Sequence, residues 1–214
     1  MSTSSTPLFQ AVVDGDVATT VSEINLLLEQ GQLPQDILET YLIPAMAEVG
    51  QRFDSNEFFV PELLIAARAM QEGMKILNPL LKASGVEKRG RVVIGTVKGD
   101  LHDIGKNLVG SMLEGGGFEV IDLGVDVPPE RFVEAAKEKA KTIVGLSALL
   151  TTTMPNMRET ITALHNEGLR EQIRVMIGGA PVTQAFAEEI GADGYSENAN
   201  SAVALAKNLV ASFN

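Results

Sequence analysis

The hydrophobic periodicity of this 214-residue chain changes once, between residues 84 and 90, and the change divides the fold in two. From Pro7 to about Ala83 apolar residues recur at helical spacing, as in Ile24, Leu27 and Leu28 and again in Ile37, Leu38, Tyr41 and Leu42. Asp14-Gly15-Asp16, Gly31 with Pro34, and Asp54-Ser55-Asn56 punctuate this half into four or five helices, the last beginning near Pro61. After the polar stretch Ser84 to Gly90 the pattern becomes strand and helix in alternation. Strands are expected at Arg91–Val97, Phe118–Asp122, Thr142–Ser147, Arg174–Ile177 and Asp193–Tyr195, with helices starting near Ile104, Pro129, Met154, Pro181 and Asn198. Strict alternation implies a parallel sheet with crossover helices. The expected fold is therefore α/β: a helical bundle over 1–89, then a flavodoxin-like or Rossmann-like domain with a five-stranded parallel sheet over 90–214.

Composition narrows the chemistry. The chain has no Cys and only two histidines, His102 and His165, which excludes thiolate nucleophiles, iron–sulfur clusters and three-His zinc sites. Any metal held through nitrogen relies on one or two imidazoles or brings most of its own ligands. A net charge of −11 opposes phosphate neutralisation, so nucleic acid is not an expected partner. No apolar run approaches a membrane span, and the first residues lack the basic and apolar regions of a secretory signal; a cytoplasmic location is expected.

In a doubly wound sheet, ligands sit beyond the carboxyl ends of the strands. There the sequence places Lys98-Gly99-Asp100-Leu101-His102-Asp103-Ile104-Gly105-Lys106-Asn107 after the first strand, Ser147 to Thr153 after the third, and Gly178-Gly179-Ala180-Pro181 after the fourth. The first segment is no phosphate loop: its glycine spacing is wrong, and two aspartates would repel phosphate. Two readings of it stand. Asp100 and Asp103 cap a helix beside an exposed His102, or His102 is a ligand or acid/base whose second nitrogen is fixed by Asp100. The paired glycines likewise either make a tight turn or admit a bulky ligand.

Taken together, Asp100-x-His102-x-x-Gly105, Ser147-x-Leu149 and Gly178-Gly179 resemble the cobalamin-binding signature of methionine synthase and of the corrinoid proteins of methyltransferase systems. The likeness continues upstream, where Val49 to Leu64 is similar to the helical cap that this family places over the corrin. By position Phe53, Phe59, Val60 and Leu63 match apolar cap residues, and Glu39 matches a cofactor contact.

The resemblance implies that His102 replaces the cofactor's own base as the axial cobalt ligand. It further implies that the displaced nucleotide tail enters a slot built by Ser147, Leu149, Gly178 and Gly179. Asp100 and Thr153 would form a relay with His102, while Gly99, Leu101, Asp103, Ile104, Gly105, Thr151 and Ala180 match further cofactor contacts. The implied cofactor is cobalamin, cycling between methylcobalamin and cob(I)alamin at its cobalt. The implied partners are a substrate-specific methyltransferase and a second one delivering the methyl group to tetrahydrofolate or a thiol such as coenzyme M, with the active sites on those other chains and a hinge at Ser84 to Gly90. A B12-dependent sensor is the alternative, disfavoured by the acidic charge and the absence of Trp. His165 is expected to be exposed near a helix C-terminus, without a role.

Overall fold

The computed structural model describes residues 6–83 and 88–213. Two compact units emerge, Met1–Lys88 with Glu114–Gly117, and Arg89–Leu113 with Phe118–Asn214. The expected hinge lies largely at Ser84 to Glu87, outside the described residues.

The first unit is helical: α1 (Pro7–Val13), α2 (Val17–Glu29), α3 (Pro34–Ile37), α4 (Ile43–Asp54) and α5 (Val60–Ala83). Proline opens α1 and α3, where a missing N–H costs nothing. Asp16 caps α2, accepting from Thr19 N–H at 3.0 Å. Between α3 and α4 the chain makes a π-helical turn, Leu38–Leu42, in which Ile43 N–H reaches back to Leu38. Pro44 follows with no N–H to give, so the helix widens instead of breaking. This turn, invisible to hydrophobic periodicity, joins α3 and α4 into one continuous helical run. Leu8, Val12, Ile24, Ile37, Leu42, Leu63, Met70 and Leu77 form the core of this unit.

The second unit is a five-stranded parallel sheet with the order β2-β1-β3-β4-β5, Rossmann-like as expected. Its strands are β1 (Arg91–Thr96), β2 (Glu119–Asp122), β3 (Thr142–Ser147), β4 (Ile173–Gly178) and β5 (Gly194–Ser196). Helices α6 (Ile104–Gly115), α7 (Pro129–Lys137), α8 (Pro155–Asn166), α9 (Gln184–Ile190) and α10 (Ala199–Ala211) connect and complete it. Every residue of β1 is buried, as a central parallel strand requires. Val93, Val144, Val175 and Ile177 pack with Phe132, Met157 and Leu164 of α7 and α8. Period-two alternation turns Val92, Ile94, Ile143 and Met176, also buried, to the opposite face. The strand order reverses between β1 and β3, so the loops leaving these neighbours open a crevice.

One helix start is corrected. Pro181 does not open α9; it sits in a turn in which Val182 N–H returns to Gly179 C=O at 2.9 Å, and the helix waits for Thr183, whose hydroxyl caps Phe186 N–H at 3.2 Å. A side-chain acceptor is the stronger start signal than a proline two residues earlier. Among the described residues no helix is long and apolar enough to cross a membrane.

Candidate functional site

The site grows from the end of β1. Val97 pairs with Val127, the chain turns at Lys98-Gly99, and Asp100 N–H closes the turn on Val97 C=O at 3.1 Å. The turn buries the Asp100 side chain completely while leaving His102 half exposed.

Both oxygens of the Asp100 carboxylate are engaged, and neither caps a helix. Oδ1 accepts from His102 Nδ1 at 2.7 Å and from His102 N–H at 3.1 Å. Oδ2 accepts from Thr153 Oγ1 at 2.7 Å and from the N–H groups of Leu149 and Leu150 at 2.8 and 3.3 Å. Burial pushes this carboxyl's pKa up, but the bonds from Thr153, His102 and Leu149 outweigh it and hold the group well below the usual carboxylate range. An ionised carboxylate only accepts, so in the neutral ring Nδ1 of His102 carries the proton and Nε2 the lone pair. Thr153 Oγ1 also lies 2.9 Å from Leu150 C=O, giving its hydroxyl a second acceptor.

The other expected residues divide into two groups. Ser147 ends β3 in register with Thr96 on one side and Gly178 on the other. Leu149 acts on Asp100 through its backbone, Thr151 and Ala180 are exposed, and Asp103 accepts from Asn107 Nδ2 at 3.1 Å. Glu39, Phe53, Phe59, Val60 and Leu63 belong to the helical unit. Glu39 lies on the π-helical turn, exposed and bonded to Gln35; Phe59 and Val60 are exposed, Phe53 is half-buried, and Leu63 is fully buried in that unit's core. His165 is exposed in the last turn of α8.

Two glycines read differently than as a pair of bare walls. A Cβ on Gly179, at φ +134°, would lie 1.9 Å from Ala148 C=O, so the chain's own β3 loop already demands glycine there. Gly105 is the reverse case: a Cβ would meet nothing within 4 Å, on a helical residue that tolerates alanine. Among the described residues no neighbour requires its bareness. Around it the strand-end loops expose large apolar side chains, Leu101 at 71%, Ile104 at 74%, and Leu149 and Leu150 at 42% each. Such a patch marks a surface meant to be covered.

Three braces of the histidine loop carry no motif. Thr96 Oγ1 donates to His102 C=O at 2.8 Å, Asn156 Nδ2 to Lys98 C=O at 2.7 Å, and Gly99 N–H to Asp126 Oδ1 at 2.6 Å. All three bond to backbone, which places few demands on sequence pattern. Lys106, buried one turn into α6, pairs with Asp122 at the end of β2 and donates to Asn107 Oδ1 at 2.6 Å.

Comparison with known proteins places this geometry. Residues 90–204 match the family model described as a B12 binding domain, and residues 5–78 match a second model of the same description. Dimethylamine corrinoid protein 1 of Methanosarcina acetivorans is 52% identical over 184 residues, covering 85% of this chain and 86% of that protein. The trimethylamine corrinoid protein of Methanosarcina barkeri is 44% identical over 200 residues, covering 92% of each. Among solved structures, the methanol:cobalamin methyltransferase complex of Methanosarcina barkeri contains a chain that superposes with a TM-score of 0.84 at 31% identity, covering 96% of this chain and 79% of that one.

Proposed function

This chain belongs to the family of B12-binding corrinoid proteins, and on that premise we propose that it carries a methyl group between two methyltransferases with His102 as the axial ligand of its cobalamin cobalt. The observation that carries the reading is the bonded series His102, Asp100, Thr153, which fixes the imidazole with Nε2 outward.

The residues fit a corrinoid. The site offers one imidazole nitrogen, the donor set suited to a metal whose other ligands come with the cofactor. It also offers an apolar rim at Leu101, Ile104, Leu149 and Leu150, with the open face of Gly105 among them, suited to a broad flat macrocycle. When bound, cobalamin supplies a cobalt centre that accepts a methyl group from one substrate and yields it to another.

Everything else is done by the protein. Asp100 holds the ring tautomer and orientation. If the imidazole were free of the metal, a proton could be held at its Nε2, with the buried Asp100 carboxylate against Nδ1 on the ring's other side. The Thr153 hydroxyl can donate to Asp100 or turn to Leu150 C=O, so the carboxylate can change its hydrogen bonding without stranding a donor. Ser147, Gly178, Gly179 and Ala180, at the ends of β3 and β4, are assigned the displaced nucleotide tail, with Gly99, Asp103 and Thr151 as flanking contacts. The unit spanning residues 1–89 serves as the cap. Its own exposed Phe59, Val60, Leu64 and Ile65 supply the apolar cover, and Glu39 a polar contact.

The methyl donor is assigned to the methylated amines, because relatives of 44 to 52% identity are named for dimethylamine and trimethylamine. A methylamine-specific methyltransferase loads the carrier, and a second one passes the methyl group to tetrahydrofolate or a thiol such as coenzyme M.

The test is electron paramagnetic resonance of the cobalt(II) form of the loaded protein. Axial nitrogen from His102 changes the superhyperfine pattern from three lines to two when histidine alone carries nitrogen-15, and His102→Ala abolishes it. An unchanged pattern in labelled protein refutes the ligand role.

A further inference from the structure

We propose that Asp126, on the loop between β2 and α7, is the positioning residue of the histidine loop, gripping the backbone on both sides of Asp100. The segment from Lys98 to Asp103 has no regular secondary structure, so bonds from elsewhere must set where His102 stands. Asp126 makes two of them. Its Oδ1 accepts Gly99 N–H at 2.6 Å, and its own N–H donates to Asp100 C=O at 2.9 Å, so one residue holds both ends of the Gly99-Asp100 dipeptide.

The Asp100 side chain is anchored independently, from the β3 side, by Leu149 and Thr153. Its backbone and its carboxylate are thus fixed from different loops, and Asp126 is the residue that bonds the backbone at both Gly99 N–H and Asp100 C=O. Asp126 itself adopts φ +53°, a left-handed conformation that is unfavourable for a non-glycine residue and that aspartate tolerates better than most. The Val97–Val127 bridge holds the loop against the end of β1. A strained residue whose carboxylate is spent on a neighbouring loop's N–H marks a place where geometry is specified.

The test compares Asp126→Gly, which removes the acceptor while relieving the backbone, with Asp126→Asn, which keeps an acceptor oxygen and the left-handed tolerance. In cofactor-free protein, the His102 N–H should exchange with solvent about tenfold faster in Asp126→Gly, the factor that one lost hydrogen bond of this kind gives, and should return within about twofold of wild type in Asp126→Asn. Unchanged exchange in Asp126→Gly overturns the proposal. So does failure of Asn to rescue, or an equal acceleration across β3 and β4, which would signal global rather than local loosening.

A second readout rests on the ligand reading of His102. In cobalamin-loaded protein, the pH at which the histidine-bound spectrum converts to the base-off form should rise by about one unit in Asp126→Gly, because acid competes better with a weaker ligand; an unmoved midpoint overturns the proposal. A wild-type protein with no histidine-bound spectrum refutes the ligand reading, while the exchange result still decides the loop's positioning.

Discussion

Replacing Asp100 with asparagine exchanges one carboxylate oxygen for an NH2 group and should reverse the chemistry of His102. The amide oxygen can occupy only one of the two carboxylate positions. At the Oδ2 position it keeps the bonds from Leu149, Leu150 and Thr153. The opposite orientation sets an NH2 group against those donors and leaves the Leu149 N–H without its acceptor, at about 1–3 kcal/mol. The favoured orientation therefore points the amide NH2 at His102 Nδ1, which sits 2.7 Å from the carboxylate in the native protein. Nδ1 must then accept, the ring proton moves to Nε2, and the lone pair proposed to bind cobalt is gone. Losing such an outer partner typically weakens a metal ligand about 10- to 100-fold, or about 1.4–2.8 kcal/mol. The pH of conversion from histidine-bound to base-off cobalamin should accordingly rise by about one to two units, read by visible absorption. Nitrogen-15 NMR of cofactor-free Asp100→Asn should show the Nε2-protonated ring. A ring still protonated at Nδ1, or an unmoved midpoint, refutes the reasoning.

Two glycines should respond in opposite senses. Gly179→Ala drives a Cβ into Ala148 C=O and should cost about 3 kcal/mol or more in urea unfolding, whereas Gly105→Ala should stabilise the cofactor-free protein by about 0.5–1 kcal/mol yet retain cobalamin less well in dialysis. Acid should also find Asp100. Its folded pKa lies below the unfolded value of about 3.9, so its stabilisation is complete above that pH and is lost as pH falls toward the folded value; denaturation curves between pH 6 and 2 should be shallower for Asp100→Asn than for wild type.

Much of this was legible in the chain. The β-branched runs announced the five strands to within a residue or two, and the concentration of polar side chains at Lys98 to Asn107 marked the loop where Asp100 and His102 meet. Their partner Thr153, 53 residues from Asp100, came from family resemblance, and the structure supplies the contact. What periodicity could not reach were features made by backbone atoms. The π-helical turn arises from Pro44 and leaves the apolar spacing untouched. The hold of Asp126 on Gly99 and Asp100 uses main-chain groups that every residue carries. Gly178-Gly179 invited a ligand reading, yet Gly179 answers to Ala148, while Gly105, one glycine among many in the sequence, faces open space without the positive φ of the other open glycines.

The pairing of β1 with β3 has a consequence for the order in which the protein acquires its cofactor. Six register pairs zip these strands together, but α6, β2 and α7 lie between them in the chain, so the contact is non-local and slow to form compared with any helix of the first unit. Until it forms, Asp100 and Thr153 are ends of a long open loop, and His102 has no fixed tautomer. No fragment ending before Thr153 contains the site. A site able to hold cobalamin is thus a late product of folding, complete only once the sheet has closed.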